Sequence, residues 1–354
     1  MLKSMDRING RGATVDTPGR FARERTEPVD DGWWQEVEPA PRTRLHVDTA
    51  KSVISRNTSP DVPFGQSINP YRGCEHGCPY CFARPSHAYL DLSPGLDFET
   101  EIFYKPDAPA LLRRELSAAN YRPEPIALGI NTDAWQPVEK RLSLTRRILS
   151  VLAEFGAPVS IVTKSALIVR DVDILADMAG RDTALVMFSI TTLDGKLARA
   201  MEPRAATPAR RLQGMAKLAA AGIPVGVLVA PVIPHLNDHE LESILETARD
   251  HGARTAGYGL LRLPHELTEV FPAWLHEHFP DRAEAVLRQM TELRGGKLYE
   301  SDFGVRMRGR GVRAELLSKR FSQARRRFNL YQSLPELTTG HFRVPGRMVQ
   351  PTLF

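Results

Sequence analysis

Cysteine is nearly missing from this chain: three occur in 354 residues, and all three fall between Cys74 and Cys81. A multi-bridge disulfide framework is thereby excluded, and the alternative of a single bridge would leave an odd thiol and need an oxidising compartment. Also missing is any run of about 18 apolar residues, which excludes a membrane-spanning helix. The opening residues are charged and lack the apolar stretch of a secretory leader, so the expected compartment is the cytoplasm, with no membrane partner. What remains is ordinary soluble composition, 42% hydrophobic and 25% charged. The length suits one α/β barrel-like domain with appendages.

The three cysteines sit in Gly73-Cys74-Glu75-His76-Gly77-Cys78-Pro79-Tyr80-Cys81-Phe82. A C-x3-C-x2-C spacing on a loop broken by glycine and proline lets three thiolates converge, which a regular helix or strand does not allow. Structural zinc wants four protein ligands, usually as two separated pairs. No second pair follows, so zinc needs His76 or a distant histidine to complete it. Iron–sulfur clusters take thiolates, ordinarily four. With three in the whole chain, a four-iron cluster keeps one iron free of cysteine.

This loop, with Tyr80 just ahead of the third cysteine, resembles the signature of the radical S-adenosylmethionine (SAM) enzymes. The resemblance implies a 4Fe-4S cluster held by Cys74, Cys78 and Cys81. It also implies a fourth iron chelated by the amino and carboxylate groups of SAM. An external electron donor would then drive cleavage of SAM to a 5'-deoxyadenosyl radical.

After the loop, strand-like and helix-like segments alternate. Strands are expected at Gly65–Asn69, Ile126–Thr132, Val159–Thr163, Ala184–Ile190, Val225–Val232 and Ala256–Leu261, with helices at Leu142–Phe155, Val172–Met178, Pro208–Ala221 and Glu240–His251. Such alternation implies a parallel sheet with right-handed crossovers. Six strands match the partial (β/α)6 TIM barrel that the resemblance implies, while periodicity alone equally allows an open doubly wound sheet. Either way the ligand site lies at the carboxyl ends of the strands. The expected division is a mostly disordered segment 1–45 anchored only by Trp33-Trp34, a core 46–290, a basic helical extension 291–342 and a flexible tail 343–354.

Polar residues gather at the predicted strand ends: Asn131-Thr132-Asp133, Thr163-Lys164-Ser165 and Ser189-Ile190-Thr191-Thr192. Each is also the residue type that caps a following helix. Together they resemble the branch that includes spore photoproduct lyase and proteins labelled DNA repair photolyases. That resemblance implies SAM contacts from Thr132, Asp133, Lys164 and Ser189, and from Arg204 in Glu202-Pro203-Arg204. Lys164 is a point charge suited to the carboxylate of SAM. One departure concerns strand two, where the better-known lyases carry a hydrogen-donating cysteine and this chain has Ile130. All three cysteines being committed, Tyr80 is the candidate substitute.

The excess of positive charge is confined to one end. Residues 294–347 hold 13 Lys/Arg against 4 Asp/Glu, a local +9 in a chain of net +5, leaving −4 elsewhere. Leu317, Phe321, Ala324 and Phe328 fall on one helical face, with Arg313, Arg320 and Arg327 every seven residues on a flank beside it. This predicts a docked helix presenting arginines to DNA or RNA phosphates. The last residues, Gln350-Pro351-Thr352-Leu353-Phe354, resemble the short motif by which bacterial repair proteins bind the DNA sliding clamp, through Gln350, Leu353 and Phe354. The expected function is a radical SAM enzyme acting on nucleic acid or a nucleotide-like substrate. The alternatives are a radical SAM enzyme modifying a protein or small metabolite, and a zinc-stabilised nucleic-acid-binding module without turnover.

Overall fold

The structure, a computed structural model, describes residues 10–22, 42–332 and 334–346. Six strands follow one another through the core: β1 (Gln66–Ile68), β2 (Ile126–Leu128), β3 (Val159–Thr163), β4 (Ala184–Ser189), β5 (Val225–Val232) and β6 (Thr255–Leu260). Each pairs in parallel with the next, in sequence order. Strand Ile54–Arg56 closes the β1 edge antiparallel. Between them run α1 (Ala108–Leu116), α2 (Leu144–Phe155), α3 (Val172–Ala179), α4 (Pro208–Ala220) and α5 (Leu241–Asp250). This is the partial (β/α)6 barrel. Its interior is filled from alternate positions, as in β3, where Val159, Ile161 and Thr163 are buried and Ser160 and Val162 are less so.

The helices obey the apolar stripes of the sequence. In α2, Leu144, Ile148, Leu149, Leu152 and Phe155 are all buried, fixing the face that packs on the sheet. Predicted boundaries shift by a residue or two, and most at β2, which ends at Leu128 because Gly129 turns the chain with φ +84°. Asn131, Thr132 and Asp133 therefore lie on the loop beyond the strand.

Two stretches depart from the expected division. Residues 10–22 are not loose: the Gly12 and Ala13 amides donate to the Glu99 carboxylate at 2.9 and 2.8 Å, and Val15 is buried. A short segment forms structure here because a buried carboxylate accepts its backbone N–H groups. The boundary at 45 also cuts strand Arg44–Val47, which pairs with Glu101–Tyr104. Trp33 and Trp34 lie outside the described residues. At the other end, Arg343 belongs to a stretch laid against the core, its amide donating to Phe155 O at 2.9 Å while Phe342 packs on Tyr121 and Phe155.

Beyond β6 come α6 (Leu267–His278), α7 (Pro280–Glu292) and α8 (Gly311–Arg327). In and just past α8, Leu317, Phe321, Ala324 and Phe328 are buried, with Phe321 against Tyr258 of β6 at 4.6 Å between ring centres. The docked face is the one the periodicity predicts.

Candidate active site

The cysteine loop leaves the barrel after β1 and a two-residue strand, Tyr71–Arg72. All three cysteines are free; Cys74 and Cys78 are buried and Cys81 is partly exposed. Because the loop has no regular structure of its own, other elements must tie its backbone. Cys74 N donates to Phe98 O at 2.9 Å, and Glu75 N to Gln136 Oε1 at 2.9 Å. Gln136 Nε2 returns to Gly73 O at 3.1 Å. From below, the fully buried Arg84 donates Nε to Cys78 O at 2.7 Å and pairs with Glu99. Gly77 has φ +71°, and a Cβ there would meet Glu99 Oε2 at 2.7 Å. Only glycine passes this point.

Glu202-Pro203-Arg204 grips the same loop from the β4 side. Pro203 packs against Gly77, while Arg204 N donates to His76 O at 3.3 Å and Arg204 Nη2 to Glu75 Oε1 at 3.0 Å. Buried Glu202 accepts from the Tyr80 hydroxyl, from Thr191 Oγ1 at 2.9 Å and from Arg211. Burial presses the Glu202 pKa upward, yet Arg211 and Lys164 outweigh it and the net direction is down. Burial, then Cys78 and Glu202, hold the Tyr80 hydroxyl well above its ordinary pKa. Tyr80 is thus a hydrogen-bond donor to a buried carboxylate.

Asp133 joins the β2 and β3 ends. It accepts from Thr163 Oγ1 at 2.9 Å and from Lys164 N at 2.7 Å, with His76 Nδ1 3.6 Å away. Thr132 Oγ1 donates to Tyr71 O at 3.1 Å and Ser189 Oγ to Ala230 O at 3.2 Å. Thr132, Asp133, Ser189 and Arg204 therefore all have partners within the protein. Lys164 does not share this: its ammonium stands 5.9 Å from the centre of the Tyr80 ring and donates no hydrogen bond among the described residues. Burial works against its charge, but Cys78 and Glu202 prevail and raise its pKa.

These residues suit a thiolate-held cluster. Burial first, then Glu202, pushes the Cys78 thiol up to about 12, so a cation is needed to hold the thiolate there. Among the described residues no three His, Cys, Asp or Glu side chains close on a single ion. A four-iron cluster asks for something else, since each cysteine binds its own iron. Sequence reasoning missed Arg84, Glu99, Gln136 and Arg211, whose isolated positions carry no motif. Buried charge is their only mark, and it becomes visible with the fold.

A half-barrel whose open mouth carries three free thiols, and a lysine unpaired among the described residues, is an α/β fold built to hold a cofactor. The Radical SAM superfamily model matches residues 68–248, and this chain belongs to that superfamily. Its cofactors are accordingly a 4Fe-4S cluster and SAM. An uncharacterized protein of Mycobacterium tuberculosis is 39% identical over 280 residues, covering 74% of this chain and 82% of the relative. Another, of Methanocaldococcus jannaschii, is 26% identical over 237 residues, covering 67% and 84%. Among solved structures, spore photoproduct lyase complexed with dinucleoside spore photoproduct shares the fold with TM-score 0.58 at 16% identity, over 80% of this chain and 79% of that one.

Of the basic stripe, Arg320 is committed to Glu242 by two contacts of 2.8 and 2.7 Å, tying α8 to α5. Arg327 stacks on Phe328 at 5.2 Å. Arg313 and Arg320 line a groove with Pro234, His235 and Asp238, which follow the carboxyl end of β5. Gln350, Leu353 and Phe354 lie outside the described residues. Among the described residues no helix is long and apolar enough to cross a membrane.

Proposed function

We propose that this radical SAM enzyme acts on a nucleic-acid or nucleotide-like substrate in a reducing, cytoplasmic setting. Cys74, Cys78 and Cys81 would hold the cluster, with Lys164 offering its free ammonium to the SAM carboxylate. When bound and reduced by an external donor, the cluster would supply the one-electron chemistry that this family directs at SAM.

The protein's own part is placement. Glu202, Arg204, Gln136 and Arg84 fix the loop from four sides, so the thiols meet the cofactor without reorganising. Thr132 and Asp133 keep the β2 and β3 ends in register with the loop, and Lys164 is the cation left over.

The observation that carries the substrate class is the position of α8. Its docked apolar face sets Arg313 beside the loop that follows β5, at the same carboxyl end of the barrel as the cysteines, while Arg320 of the same stripe is held by Glu242. A polyanion lying along that helix would pass the mouth. Spore photoproduct lyase, on the same fold, is described with a dinucleoside spore photoproduct bound, which supports the reading. With Ile130 where the better-known lyases place a donor cysteine, the bond changed is a different one or is quenched by a different donor.

The test is anaerobic turnover with SAM and dithionite, following 5'-deoxyadenosine with and without single-stranded and duplex oligonucleotides. Faster release with oligonucleotide, together with a modified nucleoside in the digest, is the expected result. Release that is indifferent to nucleic acid but rises with a peptide or metabolite extract would overturn the substrate class and leave the family intact.

A further inference from the structure

Arg262 lies two residues past β6, at the mouth of the barrel, and is half-buried. Its guanidinium stacks on Phe82 at 4.1 Å from the ring centre, and Phe82 directly follows Cys81. Neighbouring charges include Cys81, Arg306 and Asp61, which places Arg262 over the exposed side of the cysteine loop.

What sets Arg262 apart is that none of its N–H donors is satisfied by a hydrogen bond among the described residues. Arg306, close enough to repel it, is compensated by Asp61 at 2.5 Å and Ser59 at 2.8 Å. Arg262 has no hydrogen bond or ion pair among the described residues. Five N–H donors in a fixed fork, partly withdrawn from water and unpaired, are unfavourable unless a ligand completes them. Phe82, 37% exposed, holds the plane still without using a donor. That is how a guanidinium is presented to a planar or bidentate oxyanion.

We propose that Arg262, backed by Phe82, is a phosphate-binding residue for the nucleic-acid substrate, gripping the backbone beside the nucleotide that enters the mouth. The proposal rests on the nucleic-acid reading given under Proposed function and adds to it a named contact. Nearby, the ring of Phe303, 57% exposed beneath Arg306 at 4.6 Å, offers an unpaired base a face to stack on.

The experiment measures binding of a fluorescent single-stranded oligonucleotide to the reconstituted full chain with SAM, by anisotropy across a salt series. Arg262→Gln should weaken binding about tenfold and reduce the log–log salt slope by about 0.7, the share of one phosphate on a single strand. Arg262→Lys should keep the slope with lower affinity, because charge survives and the fork does not. Phe82→Leu, which leaves the charge in place, should weaken binding without changing the slope, and with Arg262→Lys it decides the matter if Arg262→Gln fails to fold. SAM affinity, titrated without oligonucleotide, should not change. Wild-type affinity and slope in Arg262→Gln would overturn the assignment while leaving the nucleic-acid reading standing. No binding by the wild-type chain would sink both. Lost SAM affinity with unchanged oligonucleotide binding would make the partner the SAM carboxylate and overturn the phosphate.

Discussion

The Tyr80 hydroxyl donates its hydrogen to the Glu202 carboxylate, joining the residue ahead of the third cysteine to the segment that follows β4. Glu202 is also the counter-charge for buried Arg211 and a raising influence on Lys164. Removing one partner of a buried pair leaves the other uncompensated, at about 3–5 kcal/mol. Glu202→Gln should therefore destabilise the protein by about that much. Tyr80→Phe deletes one of the donors to an acceptor that keeps Thr191 and Arg211, for about 1 kcal/mol. Urea unfolding under anaerobic conditions checks the order. Tyr80→Phe should retain release of 5'-deoxyadenosine, and complete loss of it would restore Tyr80 to a direct chemical role.

Lys164 leads to a separable outcome. Because its ammonium makes no hydrogen bond or ion pair among the described residues, Lys164→Ala should leave iron content near four per chain while weakening SAM binding. Cys78→Ala should do the reverse and lose the iron. Equal iron loss in both variants, measured with SAM titrations on the same preparations, would make Lys164 a support of the loop.

Gly12 lies flat on the loop, and a Cβ there would stand 1.6 Å from Gly77 O, a backbone atom that cannot turn aside. Gly12→Ala should therefore lift residues 10–22 away from Glu99. Amide hydrogen exchange at Gly12 and Ala13 should quicken, and iron should be lost faster in air. Unaltered exchange would show that the loop absorbs the methyl group.

The alternating strands and helices were legible because both are set by periodicity, which a sequence displays directly, whereas the partial barrel followed from the resemblance carried by the cysteine loop. Ile148, Leu152 and Phe155 of α2 could be assigned to the core from spacing alone. The cysteines were legible because three ligands lie within eight residues. Lys164 and Arg204 were found at strand and motif ends, but not their opposite fates, one free and one spent on Glu75. That difference depends on which side chains 129 residues apart come together, and no local pattern encodes it. Arg262 was missed for the same reason: its meaning is a missing partner, which only a complete set of contacts reveals.

His87 gives the pH dependence. It is fully buried, donates Nε2–H to Glu101 O at 3.0 Å, and leaves Nδ1 with no partner. A second proton would thus enter an apolar pocket against Phe98 and Phe103. Burial lowers its pKa from 6.5 to about 4. Between those values the unfolded chain binds a proton that the folded chain refuses, so stability falls as pH drops from 6.5 and is fully present above it. The whole difference amounts to about 3 kcal/mol at 1.36 kcal/mol per unit. His87→Phe keeps a buried ring of similar bulk and removes the titration. Plotted against pH from 7 to 4, its unfolding free energy should fall less steeply than that of the wild-type chain, by nearly one proton near pH 5. Parallel curves would mean that the folded protein accepts the proton on His87, and that the pocket opens to water to receive it.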